Sequence, residues 1–364
     1  MRSFRVITSI LTVFAIAFAI SNSPAAACTR VLYVGDNGLV VTGRSMDWKE
    51  DMQSNIWAFP AGISRDGSAG PNSIKWTSKY GSVGVSGYEA GIPDGMNERG
   101  LVTNVLYLAE AQYTPPVAGK PNMSIAYWAQ YALDNFATVD EVVTAYRSEP
   151  FNLIAPKLPN GAPASFHLSL SDPTGDSAVL EYDNGKLVIH HDKKYRVMTN
   201  SPTYDQQLAL NTYWEGVGGL TFLPGTNRAA DRFARASFLL NAIPTKLDPS
   251  YIAGVPNSSY AYQAVAGVMS VVRAVSVPLG ITTPDQPNIS STIWRTVSDQ
   301  TNRVYYFDSA TRPDTFWVSM SKLDLRAGQP VRKLTIAGGQ VFSGEVAGDM
   351  QPVKSLTFLP ASPP

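Results

Sequence analysis

The chain has 364 residues, 44% of them hydrophobic and 16% charged, with 29 Lys+Arg against 29 Asp+Glu. Zero formal net charge argues against a basic nucleic-acid-binding surface, and the hydrophobic content argues against a disordered polymer. One cysteine excludes a disulfide framework and a cysteine-rich metal site, and the three histidines, His167, His190 and His191, form no H-E-x-x-H pattern. Chemistry with no metal and no other cofactor is the expectation.

Residues 1–27 read as a secretory signal peptide: Arg2 and Arg5 form a positive start, residues 6–20 are mostly apolar, and Ala25-Ala26-Ala27 is an A-x-A cleavage site. The apolar run is shorter than the ~20 residues a membrane span needs. No second such run follows, so no integral membrane segment is expected, and the protein is expected in the periplasm or secreted. Losing two arginines would leave the mature chain slightly acidic. Cleavage after Ala27 would make Cys28, the sole cysteine, the first residue of a mature chain spanning 28–364, read as a single domain. A free α-amine has a reference pKa near 8. Such a residue supplies both nucleophile and general base, with no histidine needed. A lipid anchor on Cys28 competes with this reading, but the third position before it is Ala25, not the usual leucine.

Thr29–Val34 (TRVLYV) is β-branched and aromatic and predicts a buried strand. Gly35-Asp36-Asn37-Gly38 predicts a hairpin turn, with residues 39–44 returning. A two-residue loop at Asp36-Asn37 would set Cys28 opposite Ser45; one at Asn37-Gly38 would set it opposite Asp47. Either register brings Arg44 and Asp47 beside Cys28. A guanidinium there would favour the thiolate, and a carboxylate would orient the α-amine. An ordinary surface pair is the plainer alternative. Trp48, next in line, would either line an acyl pocket or fill the core.

The run CTRVLYVGDNGLVVTGRSMDW, from Cys28, resembles the start of the choloylglycine hydrolase family. These are N-terminal nucleophile hydrolases that include bile salt hydrolases and penicillin V acylases. The family's C…R-x-x-D signature is met by Cys28, Arg44 and Asp47. DGMNERGL (94–101), TNSPTYDQQL (199–208) and LPGTNRAADRF (223–233) follow in colinear order. The resemblance implies that Asn200 stands by the oxyanion and that Arg232 is the second active-site arginine. The family's oxyanion strand ends in Asn in bile salt hydrolases and commonly in Tyr in penicillin V acylases. Alignment through GLVTNVLYL places Tyr107 there, with Asn104 nearby. Tyr107 is therefore assigned an oxyanion backbone N–H and a place in the substrate pocket. The implied fold is α+β, an αββα sandwich of two antiparallel sheets between helical layers. The implied reaction is hydrolysis of a small acyl-amide substrate. The family is also often tetrameric, which implies a homo-oligomer. The leader makes the chain similar to the exported acylases of Gram-negative bacteria, associated with penicillin V and N-acyl homoserine lactones. Conjugated bile salt hydrolysis, or a non-enzymatic secreted binding protein or lipoprotein, are the alternatives.

Further along, residues 123–135 and 138–147 predict helices, the second opened by a Thr138-x-x-Glu141 capping box. Strands are expected at 165–171, 177–183, 186–190 and 195–199. Ala229–Ala242 and Tyr260–Ala274 predict helices, and strands return at 291–297, 303–308, 315–320 and 331–336. Strands and helices come in blocks, not in the strict alternation of a doubly wound sheet. The glycine-rich residues 214–225 read as a loop that would line a site. Ser319-Met320-Ser321-Lys322 fits the S-x-x-K of penicillin-interacting serine enzymes, but no K-T-G or S-D-N accompanies it. No G-x-S-x-G occurs.

Overall fold

The computed structural model describes residues 28–281 and 290–362. The leader expected at 1–27 lies outside the described residues. Two antiparallel sheets face each other. The seven-stranded sheet runs in the order Val197–Met198, Thr29–Val34, Val40–Trp48, Ser291–Asp299, Val304–Ser309, Thr315–Ser319, Gly344–Glu345, with only the last pair parallel. The nine-stranded sheet is centred on Phe166–Ser171, Val102–Tyr107, Gly91–Asn97 and Ser82–Gly87. It is flanked on one side by Ser177–Asp183 and Lys186–His191, and on the other by Ile56–Phe59, Arg332–Leu334 and Gln351–Pro352.

Helices α1 (Trp128–Asn135) and α2 (Val139–Tyr146) cover the outer face of the nine-stranded sheet. Two longer helices, Ala229–Ala242 and Tyr260–Ala274, cover the outer face of the seven-stranded sheet, and the helix Tyr204–Val217 packs on the first of these; in chain order we label them α3 (Tyr204–Val217), α4 (Ala229–Ala242) and α5 (Tyr260–Ala274). This is the expected αββα sandwich. Its cause is strand alternation, which gives each sheet two apolar faces to cover. One apolar cluster fills the space between the sheets and continues beneath α4 and α5. A second lies under α1 and α2. Among the described residues no helix is long and apolar enough to cross a membrane.

Local differences from the sequence reading have identifiable causes. The N-terminal half of 123–135 is not helical: Asn122–Ser124 pairs in parallel with Asn152–Ile154, and a single 3₁₀ turn leads into α1. Thr138 does cap α2, its hydroxyl accepting from Glu141 N at 3.2 Å, while the Glu141 carboxylate accepts from Ala137 N at 2.7 Å. Helix α3 was not anticipated; only Tyr204 and Gln207 of its residues are buried, so it carries no apolar stripe to read. Residues 214–217 are its last turn, and the loop that follows lines a cavity against α4 with Phe238, away from Cys28.

Candidate active site

The hairpin that opens the described chain sets the geometry. Its loop has three residues, not two: Gly35 N donates to Leu39 O at 2.8 Å, and Asn37 and Gly38 both take left-handed backbone angles (φ 59° and 72°). An Asn-Gly pair tolerates that conformation. The ladder is Thr29 opposite Ser45 and Arg30 opposite Arg44, so the register extends to Cys28 opposite Met46. Neither two-residue register is correct, yet both expected partners still reach the cysteine. By alternation Arg44 and Met46 face the second sheet while Asp47 faces the helical layer. They bracket Cys28 from its two sides.

Cys28 is 2% exposed. Its sulfur lies 3.9 Å from Met46 Sδ, 3.8 Å from Arg44 Nη2 and 3.5 Å from the donating Asp47 N. Its backbone nitrogen lies 2.6 Å from Asn200 Oδ1. Arg44 is fully buried; Nη2 donates to Val105 O at 3.1 Å, and the guanidinium stacks 4.6 Å over Trp294. Its Nε and Nη1 have no partner, nor does Asp47 Oδ2, while Asp47 Oδ1 accepts from Thr292 Oγ1 at 2.6 Å. Arg232, in the first turn of α4, donates to Cys28 O (2.5 Å), Thr29 Oγ1 (2.7 Å) and Asn200 Oδ1 (2.8 Å). Asn200 Nδ2 in turn donates to Tyr107 O at 2.7 Å. Cys28, Arg44, Asp47, Asn200, Arg232 and Tyr107 thus converge on one point, from five separate segments of chain.

The electrostatics differ from the expectation in one respect. Burial pushes the Cys28 thiol up, and Arg44 and Arg232 offset only part of that rise. The resting sulfur is therefore a thiol that needs a base, not a preformed thiolate. Burial also lifts the Asp47 carboxyl to about 6, against the downward pull of Arg232, Thr292 and Arg44. Arg232 is lowered by burial, a loss that Asp47 partly restores.

Tyr107 ends the strand Val102–Tyr107. Leu108 N pairs with Ser165 O across to Phe166–Ser171, so Tyr107 turns its own N–H and C=O to the opposite side, the side occupied by Asn200. Asn104 faces away; it donates to Asp94 Oδ2 at 2.6 Å, in a buried cluster with Tyr305 and Thr296. Above Cys28 lies an apolar pocket walled by Trp48, Met52, Ile92, Tyr107, Ile125 and Phe166. Trp48 meets Tyr107 edge-on at 6.1 Å, and its other side faces a more polar cavity with Lys49, Glu50 and Arg312.

Four contributors escaped the sequence reading. Thr292 and Trp294 reach Asp47 and Arg44 because a β-bulge at Ile293 re-aims them, and bulges leave no mark in an apolar pattern. Met46 became visible only with the register. Tyr88 closes the pocket wall from a turn: its hydroxyl accepts from Trp48 Nε1 (2.6 Å) and Asn160 Nδ2 (3.0 Å) and donates to Glu50. The S-x-x-K stretch is unrelated to this site; Ser319 Oγ donates to Glu345, which Lys322 also faces at 3.7 Å.

Residues 28–333 match the description of the linear amide C–N hydrolases, choloylglycine hydrolase family, a match that starts at Cys28 itself. The chain belongs to that family. It is a linear amide C–N hydrolase. It is 45% identical over 368 residues to a penicillin V acylase of Pectobacterium atrosepticum, covering 97% of this chain and 98% of that one. The bile salt hydrolase/transferase of Clostridium perfringens is more distant, 30% identical over 59% of this chain and 72% of its own. Among solved structures, a penicillin V acylase from Agrobacterium tumefaciens superposes with a TM-score of 0.82 at 52% identity, covering 92% of this chain and 100% of that one. A conjugated bile acid hydrolase of Clostridium perfringens shares the fold, with a TM-score of 0.69 at 21% identity over 87% of this chain and 98% of its own.

Proposed function

We propose that this hydrolase cleaves the side-chain amide of penicillin V, with Cys28 as an N-terminal nucleophile. The observation that carries the proposal is the placement of Cys28: its nitrogen is held by Asn200 and its thiol is set between Arg44 and Asp47, at the floor of an apolar pocket. Relatives named for penicillin V support that substrate. Export and cleavage after Ala27 would free the α-amine and deliver the enzyme to the periplasm.

The sulfur attacks the substrate carbonyl while its proton passes to the α-amine. The Tyr107 N–H and the second hydrogen of Asn200 Nδ2 receive the oxyanion; losing one such donor costs about 100- to 1,000-fold in rate. Collapse breaks the C–N bond, the α-ammonium returns its proton to the leaving amine, and a thioester remains on Cys28. Water then attacks that thioester with the α-amine as base, releasing the acid and restoring the thiol. Asp47 Oδ2, free of other partners, orients the α-amine.

Long-chain N-acyl homoserine lactones form a second substrate class. The pocket's methionines favour them, since Met46 and Met52 adapt readily to an alkyl chain. A rigid sterol amide fits less well, because Trp48 and Tyr107 narrow the approach and a packed wall yields only at about 1–3 kcal/mol. Parallel kcat/KM measurements on penicillin V, a long-chain acyl homoserine lactone and glycocholate test this. Preference for glycocholate over both others would overturn it.

A further inference from the structure

His167 lies on the inner face of Phe166–Ser171, 1% exposed, and no step above uses it. Its Nδ1 is 2.8 Å from Glu181 Oε1 and its Nε2 is 2.9 Å from the Thr199 carbonyl oxygen. Both partners are acceptors. A neutral imidazole has one N–H and one lone pair, and would have to point that lone pair at an oxygen. With Glu181 ionised, both contacts are attractive only when both ring nitrogens carry hydrogen. Glu181 is equipped to be the counter-anion: its other oxygen accepts from Tyr204 N at 2.8 Å and faces His190 Nε2 at 3.8 Å. Burial alone would raise its carboxyl, yet the hydrogen bond from His167 and the nearby His190 hold it down at about 2. Beyond His190 stand Asp205, 3.5 Å from Nδ1, and the rings of Tyr195 and Tyr204, with Arg30 behind Tyr204. Leu106 is the neighbour of His167 on the adjoining strand, and His191 turns away to Asp176.

Thr199 directly precedes Asn200. The segment is tied down elsewhere as well: Thr199 Oγ1 donates to Ala229 O (3.0 Å), Ser201 Oγ to Glu110 Oε2 (2.7 Å), and Gln207 Nε2 to the carbonyls of Asn200 (3.2 Å) and Ser201 (2.7 Å). His167 ties the backbone of this segment to the nine-stranded sheet, beside the bond that the Asn200 side chain makes to Tyr107 O. We infer that His167 is a positioning residue: as an imidazolium paired with Glu181, it clamps the Thr199 carbonyl and so fixes the Asn200 side chain between Cys28 N, Arg232 and Tyr107. A charge-assisted hydrogen bond suits the task, being shorter and about twice as strong as a neutral one. The inference rests on the proposed role of Asn200 at the nucleophile.

With only three histidines in the chain, nitrogen-15 side-chain NMR of the processed enzyme at pH 7.5 is decisive. His167 is expected to show two protonated ring nitrogens, its signals identified by their disappearance in His167→Gln. A single protonated nitrogen on His167 at that pH overturns the inference, whatever the enzyme's activity. Kinetics test the consequence. Glu181→Gln removes the counter-charge, so at pH 8 its kcat should fall by roughly 10- to 100-fold, as for a misplaced catalytic group, with KM within about twofold. Because a histidine without its counter-charge is protonated more readily as the pH falls, the ratio of variant to wild-type kcat should recover on acidification from pH 8. A ratio that is flat with pH would mean simple structural damage and would overturn the clamp. Should Glu181→Gln fail to fold, the wild-type NMR result still decides. Undiminished turnover by Cys28→Ser would strike at the proposed mechanism instead, leaving the protonation result intact.

Discussion

Two opposed demands meet at Cys28. The nucleophile must be shielded from water, and shielding raises its pKa. Arg44 and Arg232 offset part of that rise, and in the proposed mechanism the α-amine, as an adjacent base, supplies the rest. A serine there would be far harder to deprotonate. Cys28→Ser is therefore expected to lower kcat by roughly 100- to 10,000-fold, the span of a lost proton-transfer step, whereas His191→Gln should stay within a few-fold. Comparable losses in both variants would contradict the account. Asp47 gives a pH signature. Its carboxyl, lifted to about 6 chiefly by burial, must be ionised to accept from the α-amine, so kcat/KM should fall as pH drops through about 6. The stability effect runs the other way: the folded state binds this proton more readily than the unfolded chain, so acidification from pH 6 to 4 favours the fold at this position. Asp47→Asn should lower the plateau and remove the acidic limb, and a pH–rate profile that keeps the limb would assign it elsewhere.

The strand Val40–Trp48 carries Arg44, Met46, Asp47 and Trp48, and α5 packs close against its Gly43. A Cβ at Gly43 would stand 2.6 Å from Val268 Cγ1 and 3.0 Å from Val272 Cγ1. Gly43→Val should cost about 1–3 kcal/mol by overpacking, read as a lower denaturant midpoint. An unchanged midpoint would show that α5 is free to retreat. Tyr88 acts across three segments, holding Trp48, Glu50 and Asn160 at the pocket wall. Tyr88→Phe keeps the ring but loses those bonds, each worth about 0.5–1.5 kcal/mol net, so KM for an aromatic acyl substrate should rise about 5- to 10-fold with kcat nearly unchanged. A drop in kcat at constant KM would place Tyr88 in the chemistry instead. The same elements mark what the sequence could disclose. Helices α4 and α5 fall within their anticipated bounds because each buries a continuous apolar face. The hairpin was legible but its register was not, since Asp36, Asn37 and Gly38 suit two- and three-residue loops alike. Helix α3 stayed hidden because it buries almost nothing.

Across the molecule, the six anticipated site residues come together from Cys28, the return strand, the end of Val102–Tyr107, the turn before α3 and the first turn of α4. The hairpin alone set Arg44 and Asp47 beside Cys28; the convergence of Tyr107, Asn200 and Arg232 was accessible only through family resemblance, because positions as far apart as Cys28 and Arg232 are joined by sheet pairing and helix packing that no local pattern encodes. The parts that were illegible are those that act at a distance: the bulge beneath Asp47, the Tyr88 wall and the His167–Glu181 pair. All of them serve one claim, that Cys28 heads the active chain and takes the acyl group. Acid-quenched turnover followed by mass spectrometry tests it most directly. The predicted result is a peptide that begins at Cys28 and carries the mass of the substrate's acyl group on that residue. An active enzyme that retains residues ahead of Cys28, or whose acyl adduct sits on any other residue, would contradict the account.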